Sequence, residues 1–110
     1  MSARVYVPTT LAGLAGFVDA GVSPGSADHL TAPDDGEEAE YAALMTAAGA
    51  SAALLDGPGR RVVVVAEVAD PAGDIPLERV VAVHVDTEDD ADEDDDLAWF
   101  ATQEIPDLLG

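Results

Sequence analysis

Cysteine and lysine are both absent from this sequence of 110 residues, and each absence excludes a class of chemistry. Without cysteine there can be no disulfide, no thiolate metal site and no cysteine nucleophile. A cysteine-free chain fits a reducing compartment, and the N-terminus MSARVYVP lacks the apolar segment of a signal peptide. We therefore expect a cytoplasmic protein.

Basic residues are few, because only four arginines accompany 23 acidic residues and the formal net charge is −19. Binding to nucleic acid requires basic side chains that neutralise phosphates, and binding to anionic lipid surfaces requires the same. The longest uncharged stretch in a helical setting, residues 42–55, is shorter than the ~20 residues of a membrane span. We expect neither direct nucleic acid binding nor a membrane partner.

Acidic residues are concentrated in one segment, DTEDDADEDDD, where nine of the eleven residues from Asp86 to Asp96 are acidic. Fourteen acids and the four arginines leave a formal charge of −10 on the other 99 residues. Like charges at this density repel, so the segment is predicted to be a solvated, mobile loop over residues 86–96. No register of it places a glycine and a final glutamate as a calcium-binding EF-hand loop requires. We predict no metal and no other cofactor.

Two runs of β-branched residues, Val62–Val68 and Val80–Val85, predict a central pair of strands. The connection between them is too short for a helical crossover, so we expect antiparallel pairing. Both faces of the first run are apolar, which is typical of a centrally placed strand. In the second run, alternation puts Val81, Val83 and Val85 on one face, and Val80, Ala82 and His84 on the other.

The flanking segments predict two further strands and two helices. Residues 4–8 alternate as a strand, and Thr9 or Thr10 caps a helix that ends at Gly21. A longer helix is predicted over residues 37–55, with an apolar stripe of Tyr41, Leu44, Met45, Ala48, Ala52 and Leu55. Residues 97–102 alternate as a strand followed by a helical turn at 106–109, with a single helix over 93–109 as the alternative.

These elements predict a single α+β domain over residues 1–110. Its order is β-α-α-β-β-β, and we expect a two-layer sandwich in which two helices cover one face of a four-stranded mixed sheet.

Five separated blocks of the sequence carry a resemblance: RVYVPTTLAGL, EYAAL, RRVVVVAEV, AVHVD and WFATQEIPDLL. Together they resemble a family of small uncharacterised actinobacterial proteins, a domain of unknown function. The blocks span most of the chain, and none is a catalytic signature. The resemblance implies a fold and a compartment and carries no activity.

Two functions from different classes follow from the residues. The first is a non-enzymatic protein-interaction or regulatory module whose negative surface binds a basic protein partner through Asp89, Asp90, Asp92, Glu93, Asp94 and Asp95. The alternative is a small-ligand-binding protein or enzyme with a site near the strand ends, formed by His84, Asp86, Tyr6 and Glu104. No nucleophile–base pair or metal cluster has the spacing that catalysis requires, which favours the first. The oligomeric state stays open.

Overall fold

The computed structural model describes residues 3–23, 29–31, 36–55, 59–70, 72–89, 92 and 95–109. Within these residues the chain forms ten regular elements, which are β1 (Ala3–Thr9), α1 (Leu11–Ala20), β2 (Val22–Ser23), β3 (Leu30–Thr31), α2 (Glu37–Leu54), β4 (Val62–Val68), β5 (Ile75–Pro76), β6 (Val80–Val85), β7 (Ala98–Phe100) and α3 (Ile105–Leu109). Single 3₁₀ turns precede β6 at Leu77–Arg79 and α3 at Thr102–Glu104. No helix of the described part has the length and apolar character needed to cross a bilayer.

The main sheet has five strands in the order β3-β1-β4-β6-β7, and every neighbouring pair is antiparallel. The two valine runs pair as predicted, with Val62 opposite Val85 and Val64 opposite Val83, and β4 lies at the centre. The prediction of a four-stranded mixed sheet is wrong in two respects. The two-residue strand β3 adds a fifth member, and β1 runs antiparallel to β4 although two helices separate them in the chain. Strands β2 and β5 form a separate two-stranded sheet.

The helices cover opposite faces of the sheet, so the expected two-layer sandwich with both helices on one face is wrong. Leu14 and Phe17 of α1 pack with Val62 and Val64, and Ile105 of α3 belongs to the same cluster. On the other face, three alanines of α2 pack against Val63 and Val65, namely Ala43, Ala47 and Ala48. The apolar residues on both faces of β4 are explained by cover from both sides.

Helix α1 begins and ends as its sequence predicts. The Thr10 side chain accepts a hydrogen bond of 3.0 Å from the Gly13 backbone N–H, which satisfies one of the free donors of the first turn. A Cβ at Gly13 would overlap Oγ1 of Thr9, so a side chain there would push the helix away from the end of β1. Gly21 adopts φ 77°, the left-handed conformation that closes a helix.

Helix α2 has nearly the predicted extent, and the face it presents to the sheet overlaps the predicted stripe only at Leu44, Met45 and Ala48. Its buried residues are small, namely Ala43, Ala47, Ala48 and Ser51, whereas the predicted stripe members Tyr41 and Ala52 are exposed. The Ser51 hydroxyl donates to the carbonyl of Thr9 over 2.6 Å and accepts from the N–H of Val62 over 2.8 Å. It therefore joins the end of β1 to the start of β4 from within the helix.

Strand β6 contains an irregularity that alternation alone does not predict. Val65 lies opposite Ala82 and Ala66 lies opposite Val80, so Val81 is an extra residue on this strand. Val80 consequently packs in the α1-side cluster, while Val81 faces the same side as Ala82 and His84. The predicted face assignment of Val80 and Val81 is therefore reversed.

The C-terminal segment forms a strand and a short helix, and the alternative of one helix over 93–109 is wrong. Strand β7 spans Ala98–Phe100 and pairs with β6, with Trp99 opposite His84. Leu97 is buried on the α2 side and Ile105 on the α1 side. The segment is thus anchored on both faces of the sheet.

Candidate functional site

The acidic segment connects β6 to β7 at one end of the sheet. Glu88, Asp89, Asp92, Asp95 and Asp96 are exposed. The predicted surface residues Asp90, Glu93 and Asp94 lie outside the described residues. Oδ1 of Asp89 lies 3.4 Å from Nε of Arg60 in an exposed ion pair. Such a pair stabilises the position of Asp89 only weakly, because water screens it.

The start of the segment is fixed by a buried ion pair between Asp86 and Arg61. Only 2% of Asp86 and 4% of Arg61 is exposed. Nε and Nη2 of Arg61 donate to the two carboxylate oxygens of Asp86 over 2.9 and 2.8 Å, and the backbone N–H of Arg61 donates to Oδ2 over 2.8 Å. These three hydrogen bonds occupy both oxygens of the Asp86 carboxylate. Asp86 is therefore bound to Arg61 and is not positioned as a ligand-binding residue.

The end of the segment is fixed to Arg61 and to helix α2. Nη2 of Arg61 donates to the carbonyl oxygen of Asp95 over 2.8 Å. The hydroxyl of Tyr41 donates to Oδ1 of Asp96 over 2.8 Å. The acidic segment therefore leaves and rejoins the fold at defined places, and its last residues lie against the second turn of α2.

A groove of about 450 Å³ opens beside this attachment, between α2 and the β6–β7 half of the sheet. Helix α2 packs mainly on β1, β4 and β3, so on this face Ala82 of β6 is buried while Val81 of β6 and Trp99 of β7 stay exposed. The groove is lined by residues of α2 and of four strands, namely Arg4, Tyr6, Glu37, Glu40, Tyr41, Leu44, Val65, Val81, Ala82, His84 and Trp99.

Two of the four predicted ligand residues, Tyr6 and His84, line this groove together. Tyr6 is 3% exposed and lies on β1, and His84 is half-buried on β6. Glu104 is not among the lining residues, because it precedes Ile105, which packs on the opposite face of the sheet. The structure therefore brings together two of the four residues and separates Asp86 and Glu104 from them.

Charge in the groove is organised around Arg4. Its Nη2 donates to Oε1 of Glu67 over 2.9 Å, and its Nη1 lies 3.4 Å from Oε1 of Glu40. The hydrogen bond that Arg4 donates to Glu67 raises the pKa of Arg4; desolvation opposes this rise, and the charge of Glu40 adds to it. Desolvation, followed by the charge of Glu40, raises the pKa of Tyr6 above its ordinary value of 10.0. Arg4 is charged and Tyr6 neutral at neutral pH.

His84 is a neutral polar group on the groove floor. Burial lowers its pKa from the ordinary value of 6.5, because the charged imidazolium is poorly solvated there. Its side chain makes no hydrogen bond to any described residue. The imidazole can therefore donate one hydrogen bond and accept one from a bound molecule.

The rim of the groove is aromatic. Trp99 is 60% exposed and Tyr41 is 53% exposed. Val81, which also lines the groove, is exposed as well. Exposed rings beside a concave surface are typical of interaction sites. Sequence reasoning missed Trp99, Tyr41, Glu37 and Glu40 as site residues. Strand alternation places Leu97 and Trp99 on the same face, which was the pattern that could have indicated Trp99. In the structure Leu97 is buried in the core and Trp99 is exposed.

The groove offers several groups that can bind a ligand. Its lining contains no serine, threonine or cysteine that could act as a nucleophile. Across the described part of the chain, no three His, Cys, Asp or Glu side chains converge as a metal site. A neutral imidazole, a neutral phenol, paired carboxylates and exposed rings can hold a ligand by hydrogen bonds, charge and stacking.

Comparison with known proteins identifies the family and no activity. Residues 3–109 match the model described as "Family of unknown function (DUF6912)". No curated protein and no solved structure matches the chain. Because the match covers nearly the whole chain, the protein belongs to this family of unknown function; an actinobacterial source stays a prediction.

Proposed function

We propose that this member of a family of unknown function is a non-enzymatic, cytoplasmic interaction module that binds a basic protein partner. The acidic segment attracts the partner, and the groove between α2 and β6–β7 receives part of it. The observation that carries this proposal is the attachment of the acidic segment at the groove, through the Tyr41–Asp96 hydrogen bond. The strongest concentration of charge and the exposed aromatic rings therefore adjoin each other.

Charge complementarity defines the partner. A net charge of −19 repels anionic ligands, and the acidic segment supplies −9 of it in eleven residues. A field of this sign raises the association rate of a cationic protein, and salt screens it over about 8–10 Å. Moderate charge is sufficient for the solubility of a small domain, and the rest of the chain already supplies −10.

The alternative function, a small-ligand-binding protein or enzyme around His84, has less support. Tyr6 and His84 do share the groove, which favours a ligand contact there. Asp86, the carboxylate that would assist His84, is held by Arg61 in a buried pair. Binding without chemistry is what remains of this alternative.

The proposal is tested by capture of partners from native cytoplasm across a salt series. One variant neutralises four acids of the segment to Asn or Gln, namely Asp89, Asp90, Asp92 and Glu93. A control variant removes the same charge from the α1 and α3 side of the fold, namely at Asp19, Glu78, Glu104 and Asp107. We expect the first variant to lose a salt-sensitive basic partner and the control to retain it, with both melting at or above the parent temperature. An identical partner set for both variants would refute the proposal.

A further inference from the structure

The groove between α2 and β6–β7 has a composition suited to one long cationic side chain. Resting on the proposed function, we propose that it binds an arginine side chain of the partner, with the guanidinium stacked on Trp99 and directed toward Glu37.

The first step is the exposure of the aromatic rings. Trp99 lies on β7, opposite His84, on the part of the sheet that α2 does not cover. Tyr41 lies on α2, and its hydroxyl is already bound to Asp96, so its ring is held in place. Trp offers the best aromatic face for a cation, and arginine is the cation most often found there.

The second step is the carboxylate of Glu37. The two acids nearest Arg4 are Glu40 and Glu67, and their ion pairs with it satisfy that cation. Glu37 lines the same groove and forms no ion pair with any described residue. The groove therefore keeps a negative charge after its own arginine has been neutralised. A second cation can enter it without displacing Arg4.

The third step is the source of the arginine, and a second copy of this chain is an unfavourable one. Arg61 is buried and Arg4 and Arg60 already form ion pairs, so only Arg79, which is exposed, could be offered by another copy. There is no lysine, and each copy carries −19, so two copies repel each other. This repulsion favours a different, basic protein as the source of the side chain.

The fourth step favours arginine over lysine. A guanidinium is planar, is less strongly hydrated than an ammonium, and can stack on a ring while donating to a carboxylate at its edge. His84, neutral and without a hydrogen-bond partner among the described residues, can contact the peptide backbone that carries the arginine. The groove volume of about 450 Å³ is within the range of sites that hold one small ligand.

Trp99 supplies a direct readout, because it is the single tryptophan of the chain. We would titrate the full chain with the capped peptide acetyl-Ala-Arg-Ala-amide and with its lysine and citrulline analogues, and record tryptophan fluorescence. Citrulline keeps the shape of arginine and removes the charge. We expect a saturable change with the arginine peptide, weaker binding of the lysine peptide and no saturation with the citrulline peptide.

Two glutamates on neighbouring positions of α2 give a matched pair of variants. Glu37→Gln removes a groove carboxylate, while Glu38→Gln removes the same charge from an exposed residue outside the groove. We expect Glu37→Gln to weaken the arginine peptide about five- to tenfold. Glu38→Gln should change it less than about twofold, because only the general field is altered. Circular dichroism checks that both variants remain folded.

The inference and the proposed function fail separately. If the arginine peptide gives no saturable change, or if the lysine or citrulline peptide binds equally well, the arginine assignment is overturned. Equal loss in Glu37→Gln and Glu38→Gln also overturns it, because the attraction would then be general. In each case a partner that depends on the acidic segment would leave the proposed function standing. Conversely, if the peptide binds in the groove but no partner depends on the acidic segment, the proposed function is refuted and the groove remains an arginine-binding site.

Discussion

Replacement of Asp86 by alanine should be among the most destabilising single changes at the candidate site. The carboxylate accepts three hydrogen bonds of 2.8–2.9 Å from Arg61, and both residues are almost fully buried. In Asp86→Ala the guanidinium loses both carboxylate oxygens of Asp86, and the backbone N–H of Arg61 loses its hydrogen bond to Oδ2. Leaving one charge of a buried pair uncompensated costs about 3–5 kcal/mol. Urea denaturation would measure this as a decrease in the free energy of unfolding.

A second pair in the same region is the control. Arg60 and Asp89 lie one residue before Arg61 and three residues after Asp86, and their ion pair of 3.4 Å is exposed. Asp89→Ala should therefore cost no more than about 1 kcal/mol. The double variant Arg61→Met/Asp86→Ala should recover part of the loss of Asp86→Ala, because it removes the uncompensated charge. If Asp86→Ala and Asp89→Ala cost the same, the reasoning from burial is refuted.

Three further predictions concern a helix contact, the central strand and the groove floor. Ser51→Ala should lower the free energy of unfolding by about 1–3 kcal/mol, since it leaves the Val62 N–H and the Thr9 carbonyl without the hydroxyl; Ser51→Thr is a less informative change because it adds volume. Val64→Asp should abolish cooperative unfolding in a thermal melt, because Val64 is fully buried at the centre of the sheet and the charge would be unpaired. His84→Gln should reduce the loss of stability between about pH 7 and pH 5 in urea titrations, and a loss equal to that of the parent would contradict it. In the parent, the pKa of His84 in the folded state lies below its ordinary 6.5. As the pH decreases, the unfolded state therefore takes up the proton first, and the free energy of unfolding decreases.

The central strands and helix α1 could be predicted because local chemistry determines them. The valine runs consist mainly of β-branched side chains, and they pair antiparallel as expected, with Val62 opposite Val85. Thr10 and Gly21 mark the ends of α1 through a cap hydrogen bond and a left-handed backbone, which depend on neighbouring residues alone.

The face that each helix covers could not be predicted from its own residues. Helix α2 has apolar residues on most of its circumference, and of the predicted stripe only Leu44, Met45 and Ala48 pack against the sheet, whereas Tyr41 and Ala52 are exposed. The alanines Ala43 and Ala47 are buried instead, since small residues allow the helix to approach the sheet closely. Strand β3 was missed because two residues of a turn-rich segment carry no periodicity.

The Arg61–Asp86 pair was missed although the sequence contained its signal. Arg61 directly precedes Val62, and Asp86 directly follows Val85. Antiparallel pairing of those two valines places the arginine opposite the aspartate. Once the register is accepted, Asp86 is read as the partner of Arg61 rather than as a ligand residue.

The groove itself results from the irregular features that alternation does not reveal. Helix α2 is held over β1 and β4 by its alanines, so it covers little of β6 beyond Ala82 and leaves Trp99 of β7 exposed. The extra residue in β6 turns Val81 toward the same face, so that an apolar side chain widens the floor beside His84. Trp99 lies opposite His84 on the edge strand β7, and its ring is exposed and is not part of the core. The bulge and the exposed tryptophan both lie at the groove, so the two departures from a regular, covered sheet coincide with the site proposed for the partner.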